Sequence, residues 1–351
     1  MADAAMIPDE VHLVGSIGLD SVDDVFKTVG RTLGKRLKRV PDGEPGPRRL
    51  WISFQYPLLL ASPFLRPDPG GAARKNSGFR LLTLAEGVAP SEVRFGELGY
   101  AREARASYLD FCAARERGDL PKHVRFQVCL PTPMAVIRGF CTGNNIDAIE
   151  RAYEKAMLRE VETLCRAIPH RDLCLQWDVC YEMIGWDGQP QDFFPPVTVS
   201  KNEMTGHFRR ICAGVPADVE LGFHLCYGDF GAKHAIEPKD AGKLVEISNV
   251  LAKEIAHAIA YIHMPVPLAR SDEAYFKPLA DLKLSPGTKL YLGVVHAADG
   301  AEGTRKRIAA AGKYAAGFGI ATECGMARQR TPELVRKLLD IHAACAHEPA
   351  R

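Results

Sequence analysis

Short apolar runs rich in β-branched residues alternate along the chain with longer stretches whose apolar positions recur every three or four residues. Such alternation marks strand–helix units laid around a parallel sheet. The runs that read as strands are Val11–Ser16, Arg36–Val40, His123–Leu130, Asp172–Val179, Val219–Cys226, Ala258–His263, Lys289–Val295 and Phe318–Glu323. Helical windows fall between most of them, at Ser21–Leu33, Asn145–Ile168, Pro238–His257, Gly300–Ala315 and Thr331–Ala346. Eight strand–helix steps predict an α/β fold of the (β/α)8 TIM-barrel type.

The segment from Glu44 to Lys122 is too long for an ordinary connection between a strand and a helix. Proline and glycine punctuate it at Pro45, Gly46 and Pro47 and again from Pro67 to Gly71, and one helical window spans Glu97–Arg117. It reads as an inserted region, residues 45–122, elaborated after the second strand and covering the barrel mouth. No repeat and no linker divides the rest, so residues 1–351 read as one barrel domain.

Composition narrows the partners. Of 351 residues, 46% are hydrophobic and 25% charged, ordinary globular usage that excludes disordered, collagen-like and coiled-coil classes. Lys and Arg number 45 against 43 Asp and Glu, a net charge of +2 that argues against nucleic acid or an anionic membrane as partner. No apolar run approaches the roughly 18 residues that span a bilayer, and Asp3, Asp9 and Glu10 stand where a signal peptide carries basic residues. A cytoplasmic location is expected. The ten cysteines are scattered, so a disulfide framework is not expected and most read as small buried side chains.

Barrel enzymes carry their chemistry at the carboxyl ends of the strands. There the fifth predicted strand ends in His224-Leu225-Cys226, the sixth in His263, the seventh in His296 and the eighth in Glu323-Cys324. Residues two apart on a strand face the same side, so His224 and Cys226 point one way. Two imidazoles and two thiolates (His224, Cys226, His263, Cys324) form a donor set that suits zinc better than magnesium or calcium. The plainer alternative is a set of independent core histidines and buried cysteines. Glu44, after the second strand, and Asp178, ending the fourth, are carboxylates that would face the same mouth and hold an ammonium group or shuttle protons. As plainer roles, Glu44 is a turn acid and Asp178 a helix N-cap. Gly317-Phe318-Gly319 precedes a strand and lacks a third glycine, which disfavours nucleotide chemistry. Arg305, Lys306 and Arg307 read as a solvated helix face.

These residues resemble the catalytic barrel of cobalamin-independent methionine synthase, within the superfamily that includes uroporphyrinogen decarboxylase. His224-Leu225-Cys226-Tyr227-Gly228-Asp229-Phe230 is similar to that family's zinc motif, and Glu323-Cys324-Gly325-Met326 to its Asp-Cys-Gly-Leu. Gly15-Ser16-Ile17, Asp42-Gly43-Glu44 and Gln176-Trp177-Asp178 resemble its Gly-Ser-Phe, Gly-Glu and Gln-x-Asp motifs. The resemblance implies that Glu44 and Asp178 hold a substrate amine, that Ser16 sits near a carboxylate, and that His296 transfers a proton. The sequence departs from the family at three points. His263, 61 residues before Cys324, stands where the family places a glutamate ligand. The stretch Leu130–Arg138 lacks the tryptophan on which the family stacks folate, and there is no second, N-terminal barrel. Methyl-tetrahydrofolate is therefore not expected as donor.

The leading expectation is a zinc-dependent alkyl or methyl transferase that activates a thiol or a similar small polar substrate, with His296 or Asp229 managing the proton. A zinc lyase or hydrolase on the same barrel is the alternative, and a non-catalytic partner handling metal or corrinoid is a third. A corrinoid protein as donor and a homo-oligomeric state are both compatible with the sequence.

Overall fold

The computed structural model describes residues 7–71, 78–191, 199–229 and 233–348. Part of the N-terminal stretch, part of the predicted insertion (72–77) and Phe230 of the zinc-like motif lie outside them. Seven parallel strands form one curled sheet in the order β1-β4-β5-β6-β7-β8-β9. They are β1 (Arg39–Pro41), β4 (Arg125–Pro131), β5 (Leu173–Val179), β6 (Glu220–Leu225), β7 (Ile259–Pro265), β8 (Lys289–Val295) and β9 (Gly319–Thr322). A separate antiparallel pair, β2 (Leu65–Pro67) with β3 (Leu82–Leu84), belongs to the long segment after β1. Every strand of the curled sheet matches a sequence-predicted run to within a few residues.

The first predicted strand is different. Val11 makes single parallel bridges to Leu37 and to Ile320, beside the two edge strands, and the chain from there to Ser16 forms no strand. Its polar groups are spent inward instead: the Val14 carbonyl accepts from Gln176 Nε2 at 2.6 Å, and the His12 ring meets Gln176 Oε1 at 3.0 Å.

Helices cover the outside of the sheet: α1 (Val22–Leu33), α3 (Tyr100–Arg117), α5 (Ile146–Ala167), α7 (Lys201–Ala213), α8 (Gly242–Glu254), α10 (Gly300–Ala311) and α11 (Pro332–Cys345). Ser21 caps α1 by accepting from the Asp24 amide at 3.1 Å, and Thr331 caps α11 in the same way through Leu334. Shorter helices are α2 (Tyr56–Leu60), α4 (Pro133–Phe140), α6 (Tyr181–Asp187) and α9 (Glu273–Phe276), of which α4 and α6 follow β4 and β5 almost directly. The expected solvated face of α10 is only partly so. Arg307 is 1% exposed and donates to the carbonyls of Val294 and Leu268 and to both Asp299 oxygens, each at 2.7–3.0 Å. A buried guanidinium with all three nitrogens engaged is a brace, which the neighbouring pattern of basic residues concealed.

Inside the curl, side chains from successive strands fill the space. Gly222 on β6 leaves room for the Tyr261 ring, which a Cβ there would approach at 2.2 Å. Tyr261 then donates to Gln176 Oε1 at 2.9 Å, and the Arg39 guanidinium stacks 4.5 Å above its ring. This packed floor sits below the carboxyl ends of the strands.

Candidate metal centre and substrate cavity

The strand register sets the site. Pro131 on β4 pairs with Asp178 on β5, Asp178 with His224 on β6, and His224 with His263 on β7, so chemistry-bearing residues line up in one row at the strand ends. One position beyond the strand end, Cys226 donates its backbone N–H to the Val179 carbonyl at 2.9 Å, which holds its side chain on the same face as His224. Cys324 enters from the turn after β9, where the Thr322 hydroxyl fixes its backbone by donating to the Cys324 carbonyl at 2.7 Å.

Cys226 Sγ lies 3.8 Å from Cys324 Sγ, and Cys324 Sγ lies 3.8 Å from His224 Nε2. These three buried donors are all within 4.8 Å of one another. Donors around a tetrahedral zinc with bonds of about 2.0–2.3 Å are separated by about 3.5–3.8 Å, so the spacing fits. Cys226 is held well above the usual thiol range by its hydrogen bond to Cys180 and by burial, and Cys324 by its bond to Cys226 and by burial. Only a cation would hold such thiols as thiolates.

His263 is not a fourth member of this group, contrary to the sequence expectation. It stands behind His224, with both ring nitrogens occupied: Nε2 is 3.0 Å from the Thr322 carbonyl, and Nδ1 is 2.7 Å from His224 Nδ1. A carbonyl only accepts, so His263 Nε2 carries the proton. Burial pushes His263 down to about 3 and His224 well below its ordinary range, so both rings are neutral. His263 Nδ1 is then an acceptor, His224 Nδ1–H donates to it, and the His224 Nε2 lone pair is left facing the two thiols. The pair fixes the tautomer a metal ligand needs.

A cavity of about 50 Å³ opens in front of the donors, and Ser16, Glu44, Asp178 and Asp229 line it together with His224, Cys226 and Cys324. Glu44 is placed by a tight turn. Its amide donates to Asp42 Oδ1 at 2.9 Å, and Asp42 Oδ2 is held by Arg48 at 2.8 Å and Ser107 at 2.7 Å. Burial and the neighbouring Asp178 raise the Glu44 carboxyl to about 8, and burial raises Asp178 to about 7. Asp178 is fixed by Gln176 Nε2 at 2.8 Å and by the Trp51 indole. Ser16 packs so closely on Gly325 that a Cβ there would fall 2.2 Å from its hydroxyl.

His296 lies elsewhere. Its Nε2 is drawn to the Val266 carbonyl at 2.8 Å, and it lines a neighbouring cavity of about 790 Å³ with His234, Glu237, Glu323 and Arg330. Burial, then the Arg307 charge, lowers His296 to about 4. Asp229 borders the donor cavity with one oxygen on Arg330 at 3.0 Å, while its Oδ1 is buried without a hydrogen-bond partner among the described residues.

Sequence reasoning missed several residues here. Cys180 lines the cavity beside Cys226, a position legible in retrospect because Asp178-x-Cys180 at the end of β5 repeats His224-x-Cys226 at the end of the adjacent strand. Trp51 reaches the cavity from the segment after β1 with a positive φ of 54°, and Glu44 has one of 52°, a conformation costly for side-chain-bearing residues and concentrated at functional sites. No sequence signal foretold the reach of Trp51, whereas Glu44 was expected at the mouth. Arg328, four residues past Cys324, lines the same wall.

Fold and site together define a class: a curled parallel sheet bearing a cluster of imidazole and thiol donors at its carboxyl ends. Solved structures share the fold over nearly the whole chain. One described as a putative vitamin-B12 independent methionine synthase from Listeria monocytogenes superposes with a TM-score of 0.57 at 14% identity, covering 98% of this chain and 99% of that one. A B12-independent methionine synthase from Shewanella sp. W3-18-1, solved with selenomethionine, gives 0.60 at 15% identity, covering 97% and 96%. Identities this low establish similarity of fold alone. No family model matches the chain, and no protein of curated function matches its sequence. No helix among the described residues is long and apolar enough to cross a membrane.

Proposed function

We propose that this protein is a zinc-dependent transferase that activates a small thiol and receives an alkyl group, most simply methyl, on its sulfur. The observation that carries the reading is the donor triad of His224, Cys226 and Cys324, with the imidazole tautomer set by His263, on the wall of a cavity lined by two acids, Glu44 and Asp178. Zinc held there would lower the pKa of a thiol sharing the site, so that thiolate is present at neutral pH. The chain's own residues supply the rest. Glu44 and Asp178, whose carboxyls burial raises to about 8 and about 7, would ionise on meeting an ammonium group and so hold an amine. Asp229 Oδ1 would accept a proton in the cavity, a task the sequence reading divided between it and His296. Zinc ligation by His263 is not part of the proposal. The reading treats the chain as one unit, a barrel whose eighth strand is reduced to the bridges of Val11 and whose mouth is covered from residues 45–122.

One observation favours a second reading. The unpartnered Asp229 oxygen would equally suit a hydrolase or lyase that uses the metal to polarise water or a substrate oxygen. The two are separated by incubating the zinc-loaded protein with small thiols and either methylcobalamin or methyl-tetrahydrofolate and following thioether by mass spectrometry. Thioether formed from the corrinoid and abolished in Cys226→Ser supports transfer. Turnover that proceeds without thiol supports the second reading, and efficient use of methyl-tetrahydrofolate would overturn the expectation drawn from the missing tryptophan.

A further inference from the structure

The donor cavity contains a cation that faces both the acid pair and the thiols without bonding to either. Arg328 lines it, and among the described residues its guanidinium forms no hydrogen bond and no ion pair with any carboxylate. Its neighbours there are the thiols of Cys324, Cys226 and Cys180, together with Asp229 and, across the cavity, Glu44 and Asp178. Asp229 is already paired with Arg330 at 3.0 Å, in contact with a guanidinium that is itself buried. Glu323 is likewise turned towards Arg330, at 3.6 Å. Elsewhere in this protein other well-buried guanidiniums are each paired with a carboxylate: Arg307 with Asp299, Arg39 with Glu220 at 2.6 Å, and Arg48 with Asp42 at 2.8 Å. The Arg328 guanidinium, half-buried and open to the cavity, is left for an entering group to complete.

We infer that Arg328 is the anion anchor of this cavity, holding the carboxylate of a small thiol whose sulfur faces His224, Cys226 and Cys324. The inference rests on the thiol reading above and deepens it by naming a second group on the ligand. A planar fork of donors matches a carboxylate in two-point fashion. The narrow cavity limits the ligand to a short chain between sulfur and carboxylate. Ser16, whose hydroxyl is pressed against Gly325, adds a neutral hydrogen-bonding group to the same cavity, but Arg328 carries the charge.

The test uses cobalt(II) in place of zinc, so that a thiol entering the site is read from the thiolate-to-cobalt absorption without any turnover. At pH 7, 3-mercaptopropionate, 2-mercaptoethanol and cysteamine are titrated into the full-length wild-type protein, Arg328→Met and Arg328→Lys, each first shown to bind one equivalent of cobalt. The wild type should bind 3-mercaptopropionate about 10- to 100-fold more tightly than 2-mercaptoethanol, the range of a charged two-point hydrogen bond. Arg328→Met should erase that preference while leaving 2-mercaptoethanol within about twofold, and Arg328→Lys should restore part of it. Equal affinity of the wild type for 3-mercaptopropionate and 2-mercaptoethanol, a preference that survives in Arg328→Met, or cysteamine weakened by Arg328→Met as much as 3-mercaptopropionate would overturn the anchor and leave the thiol reading intact. If none of the three thiols changes the spectrum, the thiol reading itself falls and takes the anchor with it.

Discussion

At the scale of single residues the site depends on protons held in particular places. His263 contributes no ligand atom, yet its Nδ1 determines which nitrogen of His224 is free. Replacing His263 with Phe removes that acceptor while leaving all three donors in place. Chelator competition should show zinc affinity reduced about 10- to 100-fold, the usual effect of losing the partner that orients a ligating histidine; full loss of zinc at saturating metal would instead make His263 a ligand. Spacing from Cys324 located His263 in the sequence, but spacing carries no information about a ring held from behind by the Thr322 carbonyl.

Glu44 yields a pH signature. Its carboxyl, raised to about 8 by burial and Asp178, stays neutral in the folded protein while the unfolded chain ionises near the ordinary glutamate value. Between those values the folded state binds more protons, so this group's contribution falls as pH rises from about 4.5 to 8. Glu44→Gln should therefore melt with the wild type at pH 4.5 and a few °C higher at pH 8. An equal shift at both pH values would show that the effect is packing and not ionisation.

At the scale of elements, strands β4 to β9 were legible because each is an apolar run bounded by turn residues, and a buried parallel strand needs little else. Helices α4 and α6 were not. Nearly all their residues are buried, so the polar face that makes a helix periodic is missing, and each follows its strand with hardly a turn between. Val11–Ser16 shows the opposite error: an apolar run forms only the bridges at Val11, because the floor takes up the backbone and side chains that follow. The floor also depends on a glycine. Gly222→Ala would drive a Cβ to 2.2 Å from the Tyr261 ring, inside a cluster where Tyr261 is held by Gln176 and Arg39. Overpacking of this kind costs about 1–3 kcal/mol, so thermal unfolding should fall by several °C. An unchanged melting point would mean that the interior yields more easily than its hydrogen bonds indicate.

Across the whole molecule, the seven-stranded parallel sheet was readable from strand–helix alternation, and the three donors that lie together come from two short motifs of the sequence. The separation of His296 from the donor cavity was not readable. Two residues at neighbouring strand ends can open onto different cavities once a carbonyl such as that of Val266 draws one ring aside. The acids converge on the donor cavity from β5 and from the turn after β1, and the indole of Trp51 closes over them from the long segment that follows. That convergence makes a metal-assisted small-molecule reaction the simplest use of the fold, and the claim stands or falls on the metal. Diffraction data collected on either side of the zinc absorption edge, from protein purified without added metal, test it most directly. The account predicts one anomalous peak per chain, about 2.0–2.3 Å from His224 Nε2, Cys226 Sγ and Cys324 Sγ, with His263 Nδ1 turned away from it. A peak coordinated by His263, or zinc bound only in the neighbouring cavity beside His234 and Glu323, would contradict it.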